Sequence, residues 1–205
     1  MPEDKSLFHY GIIYNIVIDP LMAVSHTQII DRIPQGASVL DIGCGTGKLC
    51  FKLHQKKGCH IMGVDLSLRM LAFAKAHNHF TDVCFLHQDA TKMVDLADNS
   101  YDLAIICYII HELHRPNQIK LLQEAWRVSR SSILVESSSP LPWNVVGLIK
   151  RVIEYGFGWE HYPQFHNFLD GGGLPSLLAE AGLAGHITSQ DKYQARCNQI
   201  IVVTK

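Results

Sequence analysis

The chain lacks long apolar stretches, runs of like charge and paired cysteines, and each lack closes off a class of protein. Its longest apolar run, Leu103 to Ile110, is eight residues, against the ~20 that a membrane-spanning helix needs. Charged residues make up 18% of 205, the formal net charge is -1, and no basic run exceeds Lys56-Lys57. Charge therefore offers no nucleic-acid surface. The six cysteines (Cys44, Cys50, Cys59, Cys84, Cys107 and Cys197) include no C-x-x-C pair. Buried, reduced thiols in a cytoplasmic protein are expected. The opening Met1-Pro2-Glu3-Asp4-Lys5 has no signal-peptide pattern. Against these lacks stands an apolar content of 47%, enough for one well-cored α/β domain over residues 1–205. No oligomeric state follows from it.

Two familiar nucleotide signatures are also missing. Val39-Leu40-Asp41-Ile42-Gly43-Cys44-Gly45-Thr46-Gly47-Lys48 runs from an apolar strand into glycines at spacing two. A dinucleotide fingerprint would need glycine where Lys48 stands. A P-loop would need Ser or Thr after that lysine, and Leu49 is there instead. What remains is D-x-G-x-G-x-G between a strand and a helix. Glycines admit backbone conformations closed to other residues. The helix start beyond them offers unpaired N–H groups to a carboxylate or a phosphate.

The periodicity predicts alternating strands and helices. A lead segment over 1–37 holds a helix from Pro20, closed by Pro34-Gln35-Gly36. Strands are expected at 38–42, 60–64, 83–87, 102–107 and 132–136, with helices at 48–57 and 69–77. A further helix uses Ile119, Leu122 and Trp126 as its apolar positions. After a last helix at 174–181, stretches 186–193 and 197–203 form a hairpin. Residues 140–173 read as irregular, rich in proline and aromatics. The expected fold is an α/β Rossmann-like, doubly wound and mostly parallel seven-stranded sheet with helices on both faces. In such a sheet ligands lie beyond the carboxyl ends of the strands. Asp41, Asp65, Asp89 and Glu136 all fall at or near such ends.

Asp41, Gly43, Gly45 and Gly47 match, position by position, the first motif of the class I S-adenosylmethionine-dependent methyltransferases. Gly63-Val64-Asp65-Leu66-Ser67-x-x-Met70-Leu71 resembles their second. The likeness runs from about Val39 to Glu136 and is closest to the small-molecule branch containing the ubiquinone and menaquinone C-methyltransferases. It implies an antiparallel last strand, S-adenosylmethionine as cofactor, and an acceptor pocket or lid built by 140–173. It further implies that Asp65 holds the ribose diol. Asp89 and the Ala90 N–H would meet the adenine edge, and Leu66 and Met70 its faces. Cys107 and Tyr108 would lie near the amino group, Tyr14 would reach the methionine end, and Asp41 would order the glycine turn.

The implied reaction is in-line methyl transfer to a small, apolar or aromatic acceptor; the alternative is a non-catalytic binder or adaptor of the same fold. His111 is the candidate base, with a structural role in the turn as the competing reading. His111-x-x-His114 is not H-E-x-x-H, so no metal is expected. The N/D-P-P-Y/F motif of amino-methylating DNA enzymes is replaced by Cys107-Tyr108-Ile109-Ile110.

Overall fold

The computed structural model describes residues 19–156 and 161–205. The chain divides into two compact units, Met1–Arg32 and Ile33–Lys205. The first contributes helix α1, Asp19–Arg32, close to where Pro20 and Pro34 bracket it in sequence. Tyr14 lies outside the described residues.

The second unit holds a seven-stranded sheet. Its strands are β1 (Ser38–Ile42), β2 (His60–Asp65), β3 (Val83–His87), β4 (Tyr101–Cys107), β5 (Ser129–Ser137), β6 (Ile187–Tyr193) and β7 (Asn198–Thr204). The spatial order is β3-β2-β1-β4-β5-β7-β6. The first five run parallel, and β7 enters antiparallel to β5 with β6 as its hairpin mate. Leu103 to Ile106 and Ile133 to Val135 are buried, as continuous apolar runs must be when both faces of a parallel strand are covered.

The helices are α2 (Lys48–Lys57), α3 (Leu68–Ala76), α4 (Arg115–Val128), α5 (Val145–Gly156), α6 (His161–Asp170) and α7 (Gly173–Glu180). Local chemistry marks their ends. The Ser67 hydroxyl caps α3 by accepting from the Met70 N–H at 3.3 Å. Gly58, at φ 62°, closes α2 by donating to the His54 carbonyl. The strand order reverses between β1 and β4, and this opens a crevice above their carboxyl ends.

Two expectations are corrected. In α4 the inward face is Leu121, Leu122, Ala125 and Val128, while Ile119 and Trp126 are only partly buried. The spacing was right, but the stripe is rotated toward the sheet. Residues 140–173 are largely helical rather than irregular. Pro163 occupies the first turn of α6, where its missing N–H costs nothing. In α5 Val145, Leu148, Ile149 and Val152 face solvent, while Val146 packs against the cluster of Leu141, Phe165 and Cys197. Phe165 and Phe168 are core residues, whereas Trp143 is exposed. Among the cysteines, Cys84 is exposed and Cys107 partly buried, against the expected burial.

Candidate active site

The glycine bend joins β1 to α2. The Gly43 and Cys44 N–H groups both donate to the Val64 carbonyl at 2.8 and 3.0 Å, which pins the bend to the end of β2. Gly43, at φ +74°, has no room for a side chain: a Cβ there would meet Ile109 at 2.6 Å. Gly45, at φ +53°, differs, because a Cβ there would enter open space. The bend is thus closed on its protein side and open on the side where a ligand would lie.

Asp65 at the tip of β2 faces this opening. Its Oδ2 accepts from the Gly45 N–H and its Oδ1 from the Ser67 N–H, each at 2.8 Å. Each oxygen keeps further lone-pair capacity for a donor such as a sugar hydroxyl. The second motif therefore locks onto the first. A carboxylate with both oxygens oriented and an unfilled glycine bend beside it fit an adenosyl ligand.

The two glycines should respond differently to alanine. Gly45→Ala is expected to cost about 1 kcal/mol of stability through its left-handed backbone and to lower S-adenosylhomocysteine affinity by filling the bend. Gly43→Ala is expected to cost about 2–3 kcal/mol, since Ile109 must also move. Thermal melts and calorimetry separate the two effects; equal stability losses would contradict the close contact with Ile109.

Asp41 is buried beneath the bend, and its Oδ2 accepts from the Cys50 thiol at 3.1 Å. It ties β1 to the first turn of α2 through that thiol. Burial, with the Asp65 charge adding to it, raises its pKa from 3.8 to about 6, against the Cys50 bond. An acid whose folded pKa is raised contributes stability below its unfolded value and loses it as pH climbs through the folded one. Asp41→Asn is therefore expected to match the wild type near pH 4 and to exceed it by about 3 kcal/mol above pH 6. Urea denaturation across that range checks it; a pH-independent difference would show that burial of the charge is not the cause.

Just beyond Asp65, Leu66 is 67% exposed and Met70 is partly buried. Asp89 is exposed, and its Oδ1 accepts from both the Thr91 N–H and the Thr91 hydroxyl at 2.8 Å. Those bonds hold its pKa below the ordinary value and commit one carboxylate oxygen to the turn. Ala90 packs partly against the core.

A polar cluster stands at the carboxyl ends of β4 and β5. Glu136 is fully buried and accepts from three donors. These are the Ile110 N–H at 3.1 Å, His111 Nδ1 at 2.8 Å and the Ser137 N–H at 3.2 Å. Burial alone would lower the His111 pKa, but the charge and hydrogen bond of Glu136, with Glu154 and Glu112, outweigh it and raise it to about 9. His111 Nε2 lies 4.0 Å from Glu154 Oε2.

Lys150, one turn earlier on α5, is buried and donates to the Ser137 hydroxyl at 2.8 Å. Its ammonium sits 4.9 Å from the centre of the Tyr108 ring. Burial lowers its pKa against the pull of Glu154 and Glu136. Tyr108 takes φ +56°, an uncommon conformation for an aromatic residue, and its N–H donates to the Val135 carbonyl. The Cys107 thiol is pushed well up by burial, and further by Asp41 and Glu136.

Sequence reasoning recognised Glu136 only as an acid at a strand end and missed Lys150 and Glu154. The available signal was their four-residue spacing opposite an apolar stripe. Among the described residues no group of three or more His, Cys, Asp or Glu side chains could hold a metal ion. Nor is any described helix long and apolar enough to cross a membrane.

Residues 39–132, which span the bend, Asp65, Asp89 and the polar turn after β4, match the family described as methyltransferase domain. Fold and matched segment are similar to those of the class I S-adenosylmethionine-dependent methyltransferases, a class whose cofactor is S-adenosylmethionine. The chain is 29% identical over 133 residues to an arsenite methyltransferase of Aquipseudomonas alcaligenes, covering 54% of this chain and 38% of that protein. It is 28% identical over 120 residues to a demethylmenaquinone methyltransferase of Bacillus licheniformis, covering 56% and 50%. A solved S-adenosylmethionine-dependent methyltransferase from Aquifex aeolicus shares the fold, with TM-score 0.64 at 16% identity over 87% of this chain and 88% of that one. The chain spans half or less of the length of these two curated relatives.

Proposed function

We propose that this protein transfers a methyl group from S-adenosylmethionine to a small, apolar or aromatic acceptor. The observation that carries the reading is the bond from the Gly45 N–H to Asp65, which sets a ribose-competent carboxylate against the open side of the glycine bend. When bound, S-adenosylmethionine supplies a methyl group already activated by its sulfonium. The chain's part is then positioning and exclusion of water. Asp65 would hold the sugar hydroxyls, the Gly43–Gly47 bend the amino-acid end, and Leu66 and Met70 the base. Asp89 keeps one carboxylate oxygen for the adenine amine, with the Ala90 N–H beside it. Cys107 and Tyr108 would flank the amino group, and Tyr14 would approach from the lead segment.

An aromatic acceptor is supported by the name of the demethylmenaquinone relative. For His111, the bond to Glu136 and the pKa near 9 support a positioning role over that of a base, because an imidazolium has no lone pair to offer.

Mass spectrometry of ligand retained on purification, followed by homocysteine release across a panel of ring and non-ring acceptors, tests the reading. Retained NAD, or no binding of S-adenosylhomocysteine, would overturn it. Binding without turnover on any acceptor would favour the non-catalytic alternative.

A further inference from the structure

Helix α5 is built inside out. A surface helix normally turns its apolar stripe to the core and its charges to water. Here Gly147 and Lys150 are buried, and a Cβ on Gly147 would meet the Pro142 carbonyl oxygen at 2.0 Å. Glu154 turns toward His111. Outward stand Val145, Leu148, Ile149 and Val152, all exposed, at the spacing of a single helical face. Aromatic residues bracket this stripe: Trp143 is 85% exposed at one end and Tyr155 61% exposed at the other.

Cations rim the Trp143 end. The Arg151 guanidinium lies 3.9 Å from the centre of the Trp143 ring and donates to the carbonyls of Pro142 and Leu141. The exposed Arg196 sits on the β6–β7 turn, and the Ala195 carbonyl of that turn accepts from Asn144 just before α5.

We propose that this face of α5 docks on an anionic bilayer surface. Its apolar stripe would enter the headgroup boundary, Trp143 and Tyr155 would sit at interfacial depth, and Arg151 and Arg196 would meet lipid phosphates. Aromatic rings with one apolar and one polar side favour that depth. A helix with an unburied apolar stripe and cations beside it binds through both contributions. A second copy of the chain is the weaker candidate, because a stripe one residue wide and about 15 Å long falls short of the ~800 Å² per partner of a standard protein interface. Docking sets the inner face of the same helix, with Lys150 and Glu154, directly behind the lipid surface.

The test uses the full chain and sedimentation with vesicles of phosphatidylcholine alone or mixed equally with phosphatidylglycerol. The expected result is binding to the anionic vesicles with a blue shift in tryptophan emission, weakened by high salt. Leu148→Glu with Val152→Glu should reduce partitioning on the order of tenfold or more. Arg151→Gln with Arg196→Gln should reduce it only on the anionic vesicles. Circular dichroism and S-adenosylhomocysteine calorimetry check that each variant is folded; Trp143→Ala, on an exposed ring, gives a third reading. Absence of binding overturns the proposal. So does a wild-type dimer that Leu148→Glu dissociates while vesicle binding is nil, or binding that emerges only when residues 1–18 are deleted. None of these readouts depends on methyl transfer, so failure here leaves the proposed reaction standing.

Discussion

Replacing Asp65 by alanine is expected to weaken S-adenosylhomocysteine binding by on the order of a hundredfold or more, the loss of two hydrogen bonds to a charged acceptor at about 1.5–3 kcal/mol each. The effect should exceed that of any other single change on the cofactor side, because the carboxylate works twice. It would take the ribose hydroxyls in the proposed reading, and it holds the Gly45 N–H on one oxygen and the Ser67 N–H on the other. Asp65→Asn separates these roles. One amide oxygen can keep a backbone bond, but the amide nitrogen cannot accept, so one backbone donor loses its partner and the diol loses its charged acceptor. Asparagine should therefore fall near alanine in affinity while melting closer to the wild type. Calorimetry and thermal melts measure the pair. Wild-type affinity in Asp65→Ala would remove the basis for the ribose assignment.

The largest stability effect is expected at Glu136. Glu136→Gln leaves His111 buried without its counter-charge, which for a buried pair costs about 3–5 kcal/mol. The pH dependence gives the sharper check. His111 has a folded pKa of about 9 against an ordinary value of 6.5. A basic group raised in this way contributes stability that is full below pH 6.5 and is lost as pH rises through 9, about 3 kcal/mol in all. Glu136→Gln should lack that loss, so the difference between variant and wild type should shrink between pH 7 and pH 10. Taking the difference cancels the groups remote from Glu136, whereas Lys150 and Cys107 feel its charge and add to the difference. Parallel curves would mean that the Glu136 charge does not hold the His111 proton. Activity should fall with stability in Glu136→Gln, because Ile110 and Ser137 also donate to this carboxylate and set the turn after β4.

The units that carry the glycine bend and Asp65 were legible in sequence because they are local. The D-x-G-x-G-x-G spacing and Asp65 lie on consecutive strand–turn–helix units, and their geometry follows from glycine conformations and strand ends within about 30 residues. Helix α2 has the range expected of it, since Gly47 and Gly58 punctuate it on both sides. Strand β3 likewise matches its expected range, and the hairpin of β6 and β7 falls where two strand-like stretches have no helix between them.

The polar cluster around Glu136 was not legible, since it is assembled across distance. Glu136 meets His111 25 positions away, and Lys150 meets Ser137 13 away. No local pattern announces such pairs. Helix α5 was overlooked although its apolar residues recur at helical spacing, because the prolines and aromatics around it made 140–173 read as irregular.

By itself, then, the sequence determined the order of elements, the doubly wound sheet and the residues of the glycine bend, because periodicity and turn chemistry act over a few neighbouring residues. Tertiary structure alone decided that Asp41 bonds a thiol, that His111 keeps its proton beside a buried carboxylate, and which face of α5 meets solvent. Burial and charge at those positions come from strands and helices that only the completed sheet brings together.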